Sequence, residues 1–475
     1  MKQQHIRFRL ITVLLIVLIL SACFYGVYSV SVYGSRWVSS TRNTRYRQAK
    51  SRVIPGDITD RFGTVVATTD EEGNRVYQED LLSRASLVHV LGDSKGYVSN
   101  GVESFQARYL LGMEATLTEQ VTALFKGEKR KGDTVTLTID SVLSREIVSF
   151  WRENPATADK CGAVVVLNYR TGEVLSLVSL PVYDPSNITE EVISSSQTPF
   201  WNRATQSVMT PGSTFKIVTA ACALENLPDA LERTYDCTGS LQVGEHAITD
   251  YGDSVHGEVT LQKAFRVSCN NTFAALAQTL GIRKLRATAE SFGFNQNFLF
   301  DDLVVENSSF PTSSLTDWQE AWAGAGQSTI TATPLHMCLI AAAVANDGVM
   351  MEPRLISRVV STSGVVRKTG TTKVYRTVCS QEVAQTLQGF MKDVVARGTG
   401  TQAGVSGITV AGKTGSAEAS MNGKEVTHAW FVGYIADSSL PYACCVFVEK
   451  GNSGGSVAAP VAGHIFSWIK NQYGQ

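Results

Sequence analysis

Neither sign of charge is in excess: 42 lysines and arginines stand against 43 aspartates and glutamates, a formal net charge of −1. That balance leaves no basic footprint for nucleic acid. The nine cysteines include no Cys-x-x-Cys pair, and no histidine lies at zinc-ligand spacing to them. The pattern therefore argues neither for a metal nor for a disulfide framework, and most of these cysteines sit in apolar runs, as buried small hydrophobes do. No internal repeat or low-complexity tract is present, which sets repeat arrays aside. Charged residues are sparse at 18% against 44% hydrophobic residues, so wholesale disorder is excluded and a sizeable core is affordable. The length of 475 residues allows two or three domains.

The longest stretch without charge is at the N-terminus. Lys2, Arg7 and Arg9 precede 26 uncharged residues, Leu10 to Ser35. As a helix these span about 39 Å, more than the ~20 residues a bilayer core requires. Residues 1–9 are read as a cytoplasmic tail and 10–32 as one transmembrane anchor. Leu20-Ser21-Ala22-Cys23 matches a lipoprotein cleavage signal. The apolar run continues past it through Phe24, Tyr25, Val27 and Tyr28, which favours an uncleaved anchor. A basic linker, 33–52, follows with Arg36, Arg42, Arg45, Arg47, Lys50 and Arg52. Counted by itself, that flank would place the far side in the cytoplasm, but long domains translocate despite such charge.

Beyond the linker the chain has two textures. Residues 53–155 are mixed and polar and read as a small accessory domain. Within them PGDITDRFGTVVAT is a turn and short hairpin, Asp133 to Asp140 alternates like a strand, and a helix is expected from Ser141 to Glu153. From Cys161, CGAVVVLNYRTGEVLSLVS gives two apolar strands around Arg170-Thr171-Gly172. Strands here and near the C-terminus flank a helix-rich middle. The expected class is α+β, with one sheet packed on helices over 156–475.

Three short motifs carry chemistry. In QSVMTPGSTFKIVTAACALEN, Pro211-Gly212 ends a loop and a helix pattern runs from Thr214 to Asn226, before Pro228. Ser213 stands at its start, and Lys216, three residues on, shares its face. A serine hydroxyl is a poor nucleophile until a base takes its proton, and a lysine with a pKa lowered by burial and a second cation is such a base. The helix N-terminus favours the developing negative charge. Ser-x-x-Lys recurs at Ser467 to Lys470, with no Pro-Gly before it. Next, helix-like segments flank Ser268-Cys269-Asn270. Ser268 suits a proton relay between a base and a leaving amine, and Asn270 suits a substrate amide. Equally, Ser and Asn are ordinary breaks between helices. Ser-x-Asn recurs at Ser420 to Asn422, where Asn422-Gly423 is a hairpin turn.

Lys-Thr-Gly occurs twice. The copy at Lys413 follows the apolar strand ITVAG and heads a meander completed by THAWFVGYIA and YACCVFVEK. The copy at Lys368 lies among Arg367, Lys373 and Arg376 and reads as an exposed hairpin tip. Context selects Lys413. His428, beside Trp430 on the next strand, is read as a structural partner. Asp250, Asp253 and His256 form a polar loop between the first two motifs, read as solvated loop charge with lining of the cleft as the alternative.

Ser213-x-x-Lys216, Ser268-x-Asn270 and Lys413-Thr414-Gly415, in that order, resemble the penicillin-binding proteins, specifically the monofunctional class B transpeptidases. The resemblance extends to PGDITDRFGTVVA, AVVVLNYRTGEVLSLVSLPVYDPS, NRATQSVMTPGSTFK and AGQSTITATPLHMCLIAAAVANDG, and no stretch resembles a glycosyltransferase. It implies the family's transpeptidase fold on a pedestal domain at 53–155. It implies a D,D-transpeptidase, with its large domain outside the membrane, that cross-links peptidoglycan stem peptides and is acylated by β-lactams. Ser213 would be the nucleophile, Lys216 the base and Ser268 the relay. Lys413 would supply positive potential, Asn270 would hold the substrate amide, and Thr414 and Ser416 would bind the terminal carboxylate. Gly415 completes the binding strand, and the Ser213 and Ser416 amides would form the oxyanion hole. No cofactor and no metal is implied; a membrane glycosyltransferase is the implied partner. Ser416 replaces the family's usual Thr, and Ser328 replaces the second Gly of Gly-Gln-Gly. D,D-carboxypeptidase, β-lactamase or β-lactam sensor, and non-catalytic membrane scaffold are the alternatives.

Overall fold

The computed structural model describes residues 2–38, 53–93, 95–126, 129–421 and 423–474. Most of the basic linker, 39–52, and Asn422 of the expected Asn422-Gly423 turn lie outside them. An unbroken helix spans Lys2–Val38, running through the Leu20–Cys23 tetrapeptide. Its Ile6–Ser29 segment is long and apolar enough to cross a membrane.

The centre of the molecule is a five-stranded antiparallel sheet. Its spatial order is Val410–Met421, Lys424–Ile435, Tyr442–Val448, Gly162–Asn168 and Val174–Leu180. The strands Val174–Leu180 and Tyr442–Val448 are buried at every position. Both faces are covered, so the sequence shows continuous apolar runs and a hidden period of two. Ala163, Val165 and Leu167 face one core, with Phe215 and Leu339. Val164 and Val166 face the other, with Ile147, Val461 and Ile465.

The first face carries the helical lobe. Helix Pro334–Ala345 lies directly on the sheet and is apolar on all sides, as a helix sandwiched between layers must be. Thr333 caps it and Pro334 opens it, where the missing amide costs nothing. The second face is covered by helix Ala459–Tyr473 and by Ser141–Glu153. The latter has the expected bounds. The Asp140 carboxylate caps its start by accepting from the Leu143 amide at 2.9 Å, and it stops before Pro155.

A second, six-stranded mixed sheet runs in the order Val366–Thr369, Ile356–Val360, Thr134–Leu137, Ile58–Thr59, Val65–Thr69, Arg75–Tyr77. Two of its strands come from beyond residue 350, whereas helix Ser141–Glu153 packs on the central sheet. Packing thus crosses the expected 155/156 boundary in both directions. The second Lys-Thr-Gly copy departs from expectation as well. The hairpin tip is at Ser361–Val365, and Lys368 lies on the outer strand, where its ammonium donates to Asp302 Oδ1 at 2.7 Å. Lys368 is a structural ion pair far from any serine of the other two motifs in sequence and sheet.

Candidate active site

Ser213 sits in a 3-10 turn, Gly212–Phe215, that leads directly into helix Lys216–Asn226. Phe215 pins this turn from below: it is fully buried, with ring centroids of Phe294 and Phe310 at 5.3 and 5.9 Å. Thr214 Oγ1 closes it by donating to the Pro211 carbonyl at 2.7 Å. Gly212 has φ +55, and a Cβ there would lie 3.0 Å from both Ala417 Cβ and the Ser416 carbonyl oxygen. A Cβ on Gly415 would meet the Pro211 oxygen and Thr214 Cγ2 at 3.0 Å. These two glycines allow the serine turn and the Lys413 strand to touch backbone to backbone.

Both motif lysines are fully buried. Lys216 Nζ donates to the Ser268 carbonyl at 2.6 Å, to Asn270 Oδ1 at 2.8 Å and to Ser268 Oγ at 3.3 Å. Lys413 Nζ donates to the same Ser268 Oγ at 2.8 Å and to the Thr414 carbonyl at 3.0 Å. Two ammonium groups from separate elements therefore converge on one hydroxyl. Ser268 presents that hydroxyl from a left-handed conformation, φ 62, at the end of helix Leu261–Val267. Burial pushes Lys216 down to about 8, and pushes Lys413 well below the usual lysine range, with the Lys216 charge as the second cause. Ser213 Oγ is not among the acceptors of Lys216 Nζ, so the expected Ser213–Lys216 contact is open. Such contacts close in the substrate complex.

Lys413, Thr414, Gly415 and Ser416 lie on the outer strand of the central sheet, in register with Val432, Phe431, Trp430 and Ala429. An outer strand leaves alternate backbone groups free of the sheet. Thr414 Oγ1 shares a 2.6 Å hydrogen bond with Thr399 Oγ1, and Ser416 Oγ accepts from the Gly454 amide at 3.2 Å. Each arrangement leaves one hydroxyl proton to donate outward. Ser213, Ser268, Asn270, Thr414, Gly415 and Ser416 all line one cleft of ≈ 660 Å³, with Trp322 and Gln327 on its walls. Thr399 had no sequence signal; only the fold brings it to Thr414.

His428 is fully buried, and its Nδ1 accepts from the Lys450 amide at 3.3 Å, in keeping with a structural place. Asp250 corrects the solvated-loop expectation: it is 3% exposed, and its Oδ1 accepts from the Asn270 amide. One cluster of donor groups escapes the sequence spacings. Cys237, Asp250, His256 and Cys269 present donor atoms within 4.8 Å of one another.

The family model of the penicillin-binding protein transpeptidase domain matches residues 162–467. The chain belongs to that family. Among curated relatives, the peptidoglycan D,D-transpeptidase PbpA of Mycolicibacterium smegmatis is 30% identical over 78% of this chain and 79% of that protein. Stage V sporulation protein D of Bacillus subtilis is 30% identical over 80% of this chain and 62% of its own length. Among solved structures, the imipenem acyl-enzyme of penicillin-binding protein A from M. tuberculosis superposes with TM-score 0.80. It is 26% identical and covers 89% of this chain and 99% of that one. This penicillin-binding protein shares its α+β transpeptidase fold with these neighbours.

Proposed function

We propose that this chain is a membrane-anchored peptidoglycan D,D-transpeptidase that works through an acyl-enzyme on Ser213. The observation that carries the reading is the convergence of Lys216 and Lys413 on Ser268 Oγ, in the floor of a cleft that Ser213 and the Lys413–Ser416 strand also line. An extended stem peptide lies beside the free edge of that strand, as edge strands accept added strands. Its terminal carboxylate takes the outward hydroxyl protons of the Thr414–Thr399 pair and of Ser416, with Lys413 supplying positive potential beneath. Asn270 holds the peptide amide.

Ser213 Oγ attacks the carbonyl of the D-Ala-D-Ala bond, and its proton passes to neutral Lys216. With a pKa of about 8, roughly one Lys216 in ten is neutral at pH 7. The amides of Ser213 and Ser416 stabilise the oxyanion, each such donor contributing about 3 kcal/mol. Ser268 passes a proton to the departing D-Ala, and the amine of a second strand then takes the acyl group. A β-lactam acylates Ser213 because its strained amide imitates the same bond. The neighbour's imipenem acyl-enzyme supports this reading.

The substrate requires residues beyond the anchor to lie outside the membrane, with a single pass through Ile6–Ser29 and a short cytoplasmic tail. In this reading 53–155 serves as the pedestal, 156–475 as the transpeptidase domain, and a membrane glycosyltransferase supplies the strands. The test uses the full chain in detergent with a stem pentapeptide and a labelled acceptor amine. Release of D-Ala together with acceptor incorporation, both lost in Ser213→Ala, is expected. Release of D-Ala with water as the only acceptor would make the enzyme a D,D-carboxypeptidase, and absence of release would refute the proposal.

A further inference from the structure

We infer that helix Leu117–Lys126 is a second membrane contact, its apolar stripe lying in the interface of an anionic lipid bilayer. The helix carries its faces the wrong way round for a soluble domain, which turns its apolar stripe to the core. Leu117, Val121 and Phe125 recur at every fourth position and so share one face. They are 80%, 47% and 88% exposed. The acid of the same helix is turned to the protein instead. Glu119 Oε1 accepts from Ser363 Oγ at 2.8 Å, and Glu119 Oε2 pairs with the Arg367 guanidinium.

Neighbouring residues extend the apolar surface. Ser363 and Arg367, which hold Glu119, bracket Val365 and Val366, and both valines are more than half exposed. Met113, in the turn before the helix, is exposed as well. Single exposed apolar residues are ordinary, but these large ones lie on two segments that one carboxylate joins. Apolar surface gathered in that way marks a contact with something outside the domain.

Chain connection and charge name the occupant. Strand Val53–Ile54 pairs in parallel with Arg130–Lys131, in the register Val53↔Arg130. The helix thus ends four residues before the point where the chain arrives from the anchor. The 14 residues 39–52 bridge the two and reach at most about 50 Å, so the domain stays close to the bilayer. Those residues carry five basic side chains, from Arg42 to Arg52, and no acid. After the helix, Lys126, Lys129, Arg130 and Lys131 stand against Glu128 alone. Lys129 is exposed, and Lys131 keeps 40% of its side chain exposed while paired with Asp57. Two basic segments therefore meet at the Val53–Arg130 pairing, next in the chain to the apolar stripe. An apolar stripe flanked by cations is how a helix lies among anionic headgroups. A second copy of the chain would cover the stripe but leave the basic convergence without a counterpart.

The contact has a consequence for the cleft. The anchor by itself attaches the folded body at one point. Helix Leu117–Lys126 on the lipid surface adds a second point and so fixes which way the accessory domain stands. Glu119 ties the helix to strand Val366–Thr369, and through it to a sheet to which both halves of the chain contribute strands. The helix would thereby set the height and tilt of the body above the bilayer.

The test uses the full chain reconstituted into vesicles of phosphatidylglycerol and phosphatidylethanolamine. The vesicles contain a phospholipid with a photoreactive diazirine in its acyl chain. After illumination, peptide mapping by mass spectrometry reads which segments carry lipid. Adducts are expected on Ile6–Ser29, which serves as the internal control, and on the peptide containing Leu117–Lys126. The helix adducts should fall about tenfold or more in a Leu117→Ser, Val121→Ser, Phe125→Ser variant, with the anchor adducts unchanged. The wild-type chain gives a second reading that misfolding of the variant cannot imitate. Its helix adducts should fall about threefold or more when phosphatidylcholine replaces phosphatidylglycerol. Anchor adducts without helix adducts, or helix adducts that persist in the variant, would overturn the contact. Equal labelling in the two lipid mixtures would overturn the anionic preference. Chain-to-chain products of an amine cross-linker at Lys126 or Lys129, in place of lipid adducts, would assign the stripe to a second copy and overturn the lipid assignment.

Discussion

Replacing Ser268 by glycine and by alanine separates two things the residue does. Its left-handed backbone, φ 62 and ψ 36, costs an L-residue about 1–2 kcal/mol and costs glycine almost nothing. Its hydroxyl accepts from Lys413 at 2.8 Å and from Lys216 at 3.3 Å. Hydrogen bonds to charged groups contribute about 1.5–3 kcal/mol. Alanine loses the bonds and keeps the strain. Glycine loses the bonds and relieves the strain, less a few tenths of a kcal/mol for the freer unfolded chain. Ser268→Gly should therefore be more stable than Ser268→Ala by about 1 kcal/mol, a melting difference of about 2 °C for a domain of this size. Both should lose the proton relay equally, at about a hundredfold or more in acylation rate. The assays are thermal unfolding and the rate of benzylpenicillin acylation. An alanine variant as stable as the glycine variant would refute the strain. Near-normal acylation in either would refute the relay.

Further consequences follow from single positions. If neutral Lys216 is the base, its lowered pKa of about 8 means that the active form is half populated at pH 8 and about one in a hundred at pH 6. Acylation should rise about fiftyfold over that interval and level off above it, and a flat profile would contradict the assignment. Ser328 has φ 69 and a buried hydroxyl without a partner, where the family's usual residue is glycine. Ser328→Gly should stabilise the protein by about 1 kcal/mol in thermal unfolding with acylation unchanged. A Cβ on Gly326 would fall 1.9 Å from the Gly212 oxygen. Gly326→Ala should cost about 3 kcal/mol or more and suppress acylation by displacing the serine turn; a variant matching wild type in both assays would show that the turn gives way freely.

What the sequence made legible was local. Helix Ser141–Glu153 is visible because Asp140 caps it and Pro155 stops it, both within one turn of its ends. The central strands are visible because burial on both faces leaves unbroken apolar runs. The three motifs are visible because each is a contiguous tripeptide or tetrapeptide set by one element boundary. What escaped was long-range. Strand Ile356–Val360 pairs with Thr134–Leu137 across more than 200 residues and carries its local hairpin partner Val366–Thr369 into the same sheet, and no local pattern records that choice. Thr399 reaches Thr414 only through the packing of the helix Gln381–Arg397 region against the outer strand. The Cys237, Asp250, His256 and Cys269 cluster has separations of 13 and 19 positions between bonded members, unlike any short ligand spacing, and a strand register assembles it. The open Ser213–Lys216 contact is a different case. Helical spacing put both on one face, but the second motif offers the buried ammonium three acceptors, and it takes them.

The central claim is that Ser213 is the residue that becomes acylated. The most direct measurement is peptide mapping by mass spectrometry of the full chain after incubation with benzylpenicillin. The account predicts one penicilloyl group per chain, located on the peptide carrying Ser213 and absent from Ser213→Ala. A stable adduct on any other residue, or one that persists in Ser213→Ala, would contradict it.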